Sequence, residues 1–403
     1  MRFFLFSVIY FNIMYGIENT QAVGFKLYQS NKWDYSLIKN HKYDHLNNGL
    51  YTIANFNLGP LNLYNSMFFT TDSLQAINGS RESIAGGFSY TNQAFIASVF
   101  KKNKLHNRIL LGREYISIGN GLFDKLFFSN NCRPLDQFLW TYNYKNIYGS
   151  SGTVHLETIN NKNRFISLHT LGYKNDKFSI LLGEAILFAS KDHIASLRYI
   201  NPVLIWLPEL HNNISDDGNA FLYIGLKFKE PQSFSLWFDI LVDDYQLQIG
   251  DWGEKLEPNT FGIILGFEKI GWPFKNSINN FEYTLITNRT YQAQKPEEIF
   301  MSFEQPIGHH LGNDFDMIFF SFSEKKDVGK VQPNLSIAYM RDGANGIEIP
   351  FDLPWENPDN LIDGSYKESM PTMPINYIFQ SELSAQLRLK KGFDINLGIL
   401  YNK

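Results

Sequence analysis

Residues 233–248 read SFSLWFDILVDDYQLQ, a greasy run that nonetheless holds Asp239, Asp243 and Asp244. Taken with a period of two, Phe234, Leu236, Phe238, Ile240 and Val242 share one face. Ser235, Trp237, Asp239, Leu241 and Asp243 share the other. Successive side chains of a strand point to opposite faces, so the run reads as an amphipathic strand. A helix is excluded because the apolar set does not recur at i, i+3, i+4 and i+7. The run is also far longer than the usual strand of roughly 5–6 residues. The sheet built from it has one apolar face and one face that carries carboxylates.

The same pattern returns along the chain. In 220–229, Leu222, Ile224, Leu226 and Phe228 share a face; in 260–270, Phe261, Ile263, Leu265 and Phe267 do so, opposite Gly262, Gly266 and Glu268. In 279–288, Phe281, Tyr283 and Leu285 oppose Glu282 and Thr284, and alternation is equally clear in 375–390 and 392–401. With the weaker runs, among them 299–304, 315–324 and 332–340, the chain reads as about 16–18 strands. Tight turns such as Lys174-Asn175-Asp176 and Glu230-Pro231-Gln232 join several of them. No βαβ rhythm, repeat or low-complexity tract is visible.

Composition narrows the class. Of 403 residues, 44% are hydrophobic, 19% charged and 16% aromatic, with 35 Phe and 22 Tyr, an aromatic load beyond what a soluble domain needs. The net charge of −4 gives no electrostatic basis for nucleic-acid binding. The one cysteine, Cys132, excludes an internal disulfide and a cysteine-cluster metal site. The N-terminus, MRFFLFSVIYFNIMYGIENTQA, reads as a secretory signal peptide over 1–22: a basic Arg2, an apolar stretch too short to span a bilayer as a helix, and a small residue, Ala22. A first strand is the alternative for this segment. No later stretch is apolar enough for a transmembrane helix.

These features point to an all-β fold, an antiparallel transmembrane outer-membrane β-barrel occupying 23–403 as one domain. The apolar face meets lipid and the polar face lines the lumen. Aromatics near strand ends, such as Trp140, Tyr142, Tyr144 and Tyr283, suit interfacial girdles. Asp239 and Asp243 then face a wet or networked lumen, and Asp244 the membrane edge. With both termini periplasmic, counting strands backward from 392–401 places 341–374 on the periplasmic side and 201–219 and 249–259 outside.

Several stretches resemble the capsule assembly Wzi family of outer-membrane barrels. They are LGREYISIGNGLFDKLFFSNNCRPLDQF at 111–138, RFISLHTLGYKNDKFSILLGEAILFA at 164–189, YINPVLIW at 199–206, FDILVDDYQLQ at 238–248, EYTLITNRTYQ at 282–292 and PIGHHLGNDFDM at 306–317. The resemblance implies a barrel of about 18 strands in the bacterial outer membrane. It also implies a role in assembling or attaching capsular polysaccharide or exopolysaccharide.

Three sets of residues are candidates for a site. The first is a lumen polar network of Arg113, Glu114, Arg164, His169, Glu184, Asp239, Asp243, Glu282, Arg289 and Asp314. With Arg133, Asp136, Arg198, Asn201, His309 and Asp316 added to the set, cations and anions nearly balance, which suits a self-neutralising filling over a glycan path. The second is loop material in which Trp206 and Trp252 would stack on a sugar face, while Asp216, Asp217 and Asp251 accept hydroxyls. Trp355, in 341–374, is a further stacking candidate. The third, His309-His310 with Asp314 and Asp316, has the residue types of a barrel hydrolase or a metal site. No nucleophile motif accompanies it, so neither catalysis, metal nor cofactor is expected. The expected partners are glycan and outer-membrane lipid, with the protein a monomer and no enzyme. A porin for sugars or small solutes is the alternative function.

Overall fold

The structure is a computed structural model of the 403-residue chain. It describes residues 5–9, 11–13, 21–30, 47–70, 83–84, 87–191, 199, 201, 203–206, 218–244, 258–324, 331–362, 365–390 and 393–402. The strands are β1 (in two pieces, Leu5–Ile9 and Phe11–Ile13), β2 (Gln21–Ser30), β3 (Asn47–Leu58), β4 (Leu61–Thr70), β5 (Gly87–Lys102) and β6 (Leu105–Glu114). Next come β7 (Leu135–Tyr144), β8 (Ile147–His155), β9 (Asn163–Lys174), β10 (Phe178–Ser190), β11 (Asn219–Glu230) and β12 (Phe234–Asp244). The last are β13 (Thr260–Ile270), β14 (Ser277–Ile286), β15 (Phe315–Glu324), β16 (Val331–Asp342), β17 (Asn376–Lys390) and β18 (Phe393–Asn402).

Each strand pairs antiparallel with the next in sequence, all within one sheet. Leu5–Ile9 pairs with β18 and Phe11–Ile13 pairs with β2, which brings the last strand back to the first. The fold is that of a bacterial outer-membrane β-barrel. Among the described residues no helix is long and apolar enough to cross a membrane; the crossings are made by strands. Cleavage after Ala22 would remove β1 and start the chain in β2. The signal peptide therefore stands as a proposal, which N-terminal sequencing of the mature protein tests.

The opening stretch behaves as its period requires. In β12, Trp237, Asp239 and Leu241 are buried, while Leu236 on the opposite face is 43% exposed. The exposed set continues around the wall through Leu111, Phe138, Leu171, Leu182, Ile224, Leu265, Ile318 and Leu383. A soluble domain rarely exposes so broad an apolar surface, whereas a barrel in lipid requires one. A bulge between Val242 and Asp244 ends the alternation, and Asp244 is exposed at the strand end as expected.

The two barrel ends differ. At one end the connections are short, such as Gly59-Pro60, Asn103-Lys104, Lys145-Asn146 and 231–233. The connections that join strand ends on the other side, 115–134, 191–218, 245–259, 287–314 and 343–375, are all long in sequence. This corrects the sequence-based placement of 341–374 opposite 201–219 and 249–259: all three connect strands at the same end. The reason is local. The apolar run at 299–304 forms only a two-residue pairing, Met301–Ser302 with Gln305–Pro306, and makes no crossing. Counting it as a strand inverted the parity.

Candidate functional site

The lumen is occupied by the chain's own connections. Residues 115–134 enter from the long-connection end, and Leu126, Phe127 and Phe128 within them are fully buried. Phe127 stacks on Tyr223 of β11 at 5.1 Å, and Phe128 meets Phe300 edge-on at 5.6 Å. Residues 287–314 contribute Tyr291, Phe300, Ile307 and Leu311 to the same interior cluster, which the inward faces of the wall complete with Leu241, Ile264, Ile286 and Phe315. Tyr291 Oη donates to Leu126 O at 2.6 Å, joining the two inserted segments.

Wall carboxylates hold this plug by its backbone. Asp239 accepts from Asn120 N (2.7 Å), Asn120 Nδ2 (2.7 Å) and Gly121 N (3.2 Å). Glu282 accepts from Leu122 N (2.5 Å), Phe123 N (2.9 Å) and Trp237 Nε1 (2.8 Å). Asp243 accepts from Tyr291 N at 2.6 Å. A segment with no partner strand must satisfy its amides somewhere, and carboxyl oxygens at spaced wall positions do this. Asp314 serves the same purpose one layer nearer the long-connection end. It takes the amides of Asn345 and Thr372 at 2.9 Å each, and the Thr372 hydroxyl. Burial raises its carboxyl pKa, and those hydrogen bonds only partly offset the rise.

The remaining network residues are paired. Arg113 forms a fork with Asp136 (2.9 and 2.6 Å), and Glu114 one with Arg108 (2.7 and 2.8 Å). Arg164, fully buried, donates to Glu157 (3.0 Å) and to the carbonyls of Glu297, Ile299 and Met301. His169 meets Glu184 at 3.1 Å. Arg289 is held by Asp352 (2.6 Å) and Glu368 (2.7 Å) and lies 5.0 Å from the Trp355 ring. All ten are engaged with the protein itself. The self-neutralising reading does not describe four of the acids: Asp239, Asp243, Glu282 and Asp314 bind loop backbone rather than cations.

Of the stacking candidates, Trp206 requires correction. It is 1% exposed, packed with Phe165, Ile186, Phe188 and Tyr199, with the His169 ring 4.3 Å away. Its backbone N donates to Glu184 at 3.0 Å. No ring face is open to a sugar, because the neighbouring wall supplies enough apolar surface to take the indole in. Trp355 is likewise a packing anchor, between Arg289 and Phe351. Asp216, Asp217, Asp251 and Trp252 lie outside the described residues.

The histidine set is divided differently from the sequence expectation. Asp314 goes to the 343–374 segment, and Asp316 pairs with Arg341. The carboxylate at the histidines is Asp124, which the sequence reading passed over. Its Oδ2 accepts from His310 N at 2.7 Å and meets His310 Nδ1, while Oδ1 accepts from the Ser129 hydroxyl. Burial pushes this carboxyl up, but His310, His309 and Ser129 together outweigh it and hold it well below the usual carboxylate range. The available signal was Asp124 itself, the one acid of GLFDKLFF, where only Lys125 beside it is also charged. Asp124 and the two histidines are also the one group among the described residues with ligand-like spacing for a metal ion.

No protein-family model matches the chain, and no curated protein matches its sequence. Solved structures do resemble it. Wzi of Escherichia coli, described as an outer membrane protein involved in group 1 capsule assembly and a carbohydrate-binding β-barrel, gives a TM-score of 0.56 at 12% identity. That match covers 98% of this chain and 83% of Wzi. Pseudomonas aeruginosa OccD3 gives 0.45 at 9% identity, covering 98% and 89% of the two chains. An anion-selective porin from Comamonas acidovorans gives 0.41 at 10%, covering 100% and 99%. At such identities the Wzi likeness establishes a shared fold: this chain is built as an outer-membrane β-barrel.

Proposed function

We propose that the protein is a plugged outer-membrane barrel of the Wzi type that binds capsular polysaccharide or exopolysaccharide without covalent chemistry, in its assembly or surface attachment. The observation that carries this reading is the filled lumen: residues 115–134 and 287–314 occupy the interior and are pinned by Asp239, Asp243 and Glu282. A solute pore needs an open, hydrated path, and this arrangement works against one. The barrel shared with Wzi, itself described as carbohydrate-binding, supports the glycan class. Binding would take place on the long connections, where Asp216, Asp217, Asp251 and Trp252 remain the candidate contacts. The protein would act as a monomer surrounded by outer-membrane lipid.

Planar-bilayer recording of the refolded protein tests this directly. No conductance steps above background are expected. Steps that an added sugar can block would replace the glycan-binding reading with the porin one. With a silent barrel, Trp252→Ala is expected to weaken retention on immobilised capsular polysaccharide at least tenfold, a loss of about 1.4 kcal/mol. Undiminished retention would remove Trp252 from the site.

A further inference from the structure

We propose that Asp124, His309 and His310 form a binding site for a divalent transition metal of the Zn²⁺ class, which clips the plug to the inserted segment opposite. Asp124 belongs to 115–134 and the histidines to 287–314, so an ion here would join two stretches separated by 186 positions in sequence. The three residues each offer a ligand atom, and those atoms lie within 4.8 Å of one another. Two imidazoles and a carboxylate are a donor set suited to borderline ions, and three protein ligands leave a fourth position for water.

The surroundings are those of a built site. Asp124 is 2% exposed and His309 fully buried. A carboxylate placed so deep needs positive charge or several donors nearby. Lys125 N (2.7 Å) and the Ser129 hydroxyl hold Oδ1, which leaves Oδ2 facing the histidines. Such outer hydrogen bonds fix the orientation of a metal-ligating side chain. Leu311 N donates to His309 Nδ1 at 3.3 Å, a long hydrogen bond that orients the ring and that an ion at this nitrogen would replace. The two imidazole rings stack at 5.1 Å with 15° between planes, and Phe123 lies against both. Tetrahedral ligation at about 2.0–2.1 Å puts ligand atoms about 3.3 Å apart, so an ion would widen the contact between His310 Nδ1 and Asp124 Oδ2 and draw in the more distant ligand atoms, which now lie within 4.8 Å.

The test uses the full chain refolded in detergent, stripped with EDTA and reloaded with Zn²⁺ or Co²⁺. Bound metal is counted by mass spectrometry, and the Co²⁺ form is read by its visible absorption. One equivalent per chain is expected. Binding at least ten times weaker is expected for Asp124→Asn, His309→Gln and His310→Gln. Heat-modifiable gel migration shows that each variant retains its barrel, and Asp124→Asn preserves side-chain shape should a histidine variant fail. His106→Gln, at an exposed histidine of β6, is expected to bind normally. A wild-type chain that takes up no metal overturns the proposal. So does uptake unaffected by the three substitutions, or lost equally in His106→Gln.

Discussion

At Gly266 a side chain is missing because Trp237 of the neighbouring strand occupies its place. A Cβ there would lie 1.9 Å from the indole. The same exchange recurs where Tyr142 covers Gly149, Tyr148 covers Gly172 and Phe127 of the plug covers Gly183. Read in sequence, inward glycines such as Gly262 and Gly266 look like space in a pore, and inward Trp237 looks like a blockage. Alternation fixes which face a residue takes, but not which neighbour's ring lies across it. Gly266→Ala is therefore expected to cost about 1–3 kcal/mol by overpacking, read as a lower urea midpoint in detergent. An unchanged midpoint would mean the ring is not seated there. Cys132 gives a second residue-scale prediction. Burial pushes its thiol up to about 12, and it is 2% exposed. Maleimide at pH 8 is expected to leave it unmodified in the folded barrel and to label it after denaturation; rapid labelling of the native protein would contradict the buried position.

At the scale of elements, strands were legible and inserted segments were not. A strand between lipid and lumen shows a period of two over some ten residues, and β11 to β14 carry it clearly. The plug has no such period: apart from the single Ile118–Phe128 bridge it has no partner strand, and its amides at 120–123 are satisfied by Asp239 and Glu282. That is also why the acids of the opening stretch could be assigned to the lumen but not to their partners. Asp239→Ala combined with Glu282→Ala strands up to six donors, each costing about 1–3 kcal/mol if left buried. The expected result is a plug that leaves the lumen, seen as conductance steps absent from the wild type. A double variant as silent as its parent would mean that apolar packing around Phe127 and Phe128 suffices alone.

For the whole molecule, the asymmetry of the two ends gives an orientation. Outer-membrane barrels keep short turns toward the periplasm and long loops outside, which sets 115–134, 287–314 and 343–375 at the cell surface end. Met373, 69% exposed in the last of these, and Phe274, 66% exposed in the 271–276 turn, are suited to testing it. In a Cys132→Ser background, Met373→Cys is expected to react with a membrane-impermeant maleimide on intact cells, and Phe274→Cys only after lysis. The opposite pattern would invert the barrel and move every candidate glycan contact to the periplasm.

The plug's pins also impose an order on assembly. Asn120 and Leu122 reach acceptors 119 and 160 positions further along the chain. The strands flanking the plug, β6 and β7, are hairpin neighbours of their own surroundings and can zip early. The acceptors on β12 and β14 exist as a wall only after another five to seven strands have joined. Closing such long loops is slow and entropically costly. Until then the amides of Asn120, Gly121, Leu122 and Phe123 have only water as partner, so a half-built barrel is an open gutter, and sealing belongs to the final third of folding.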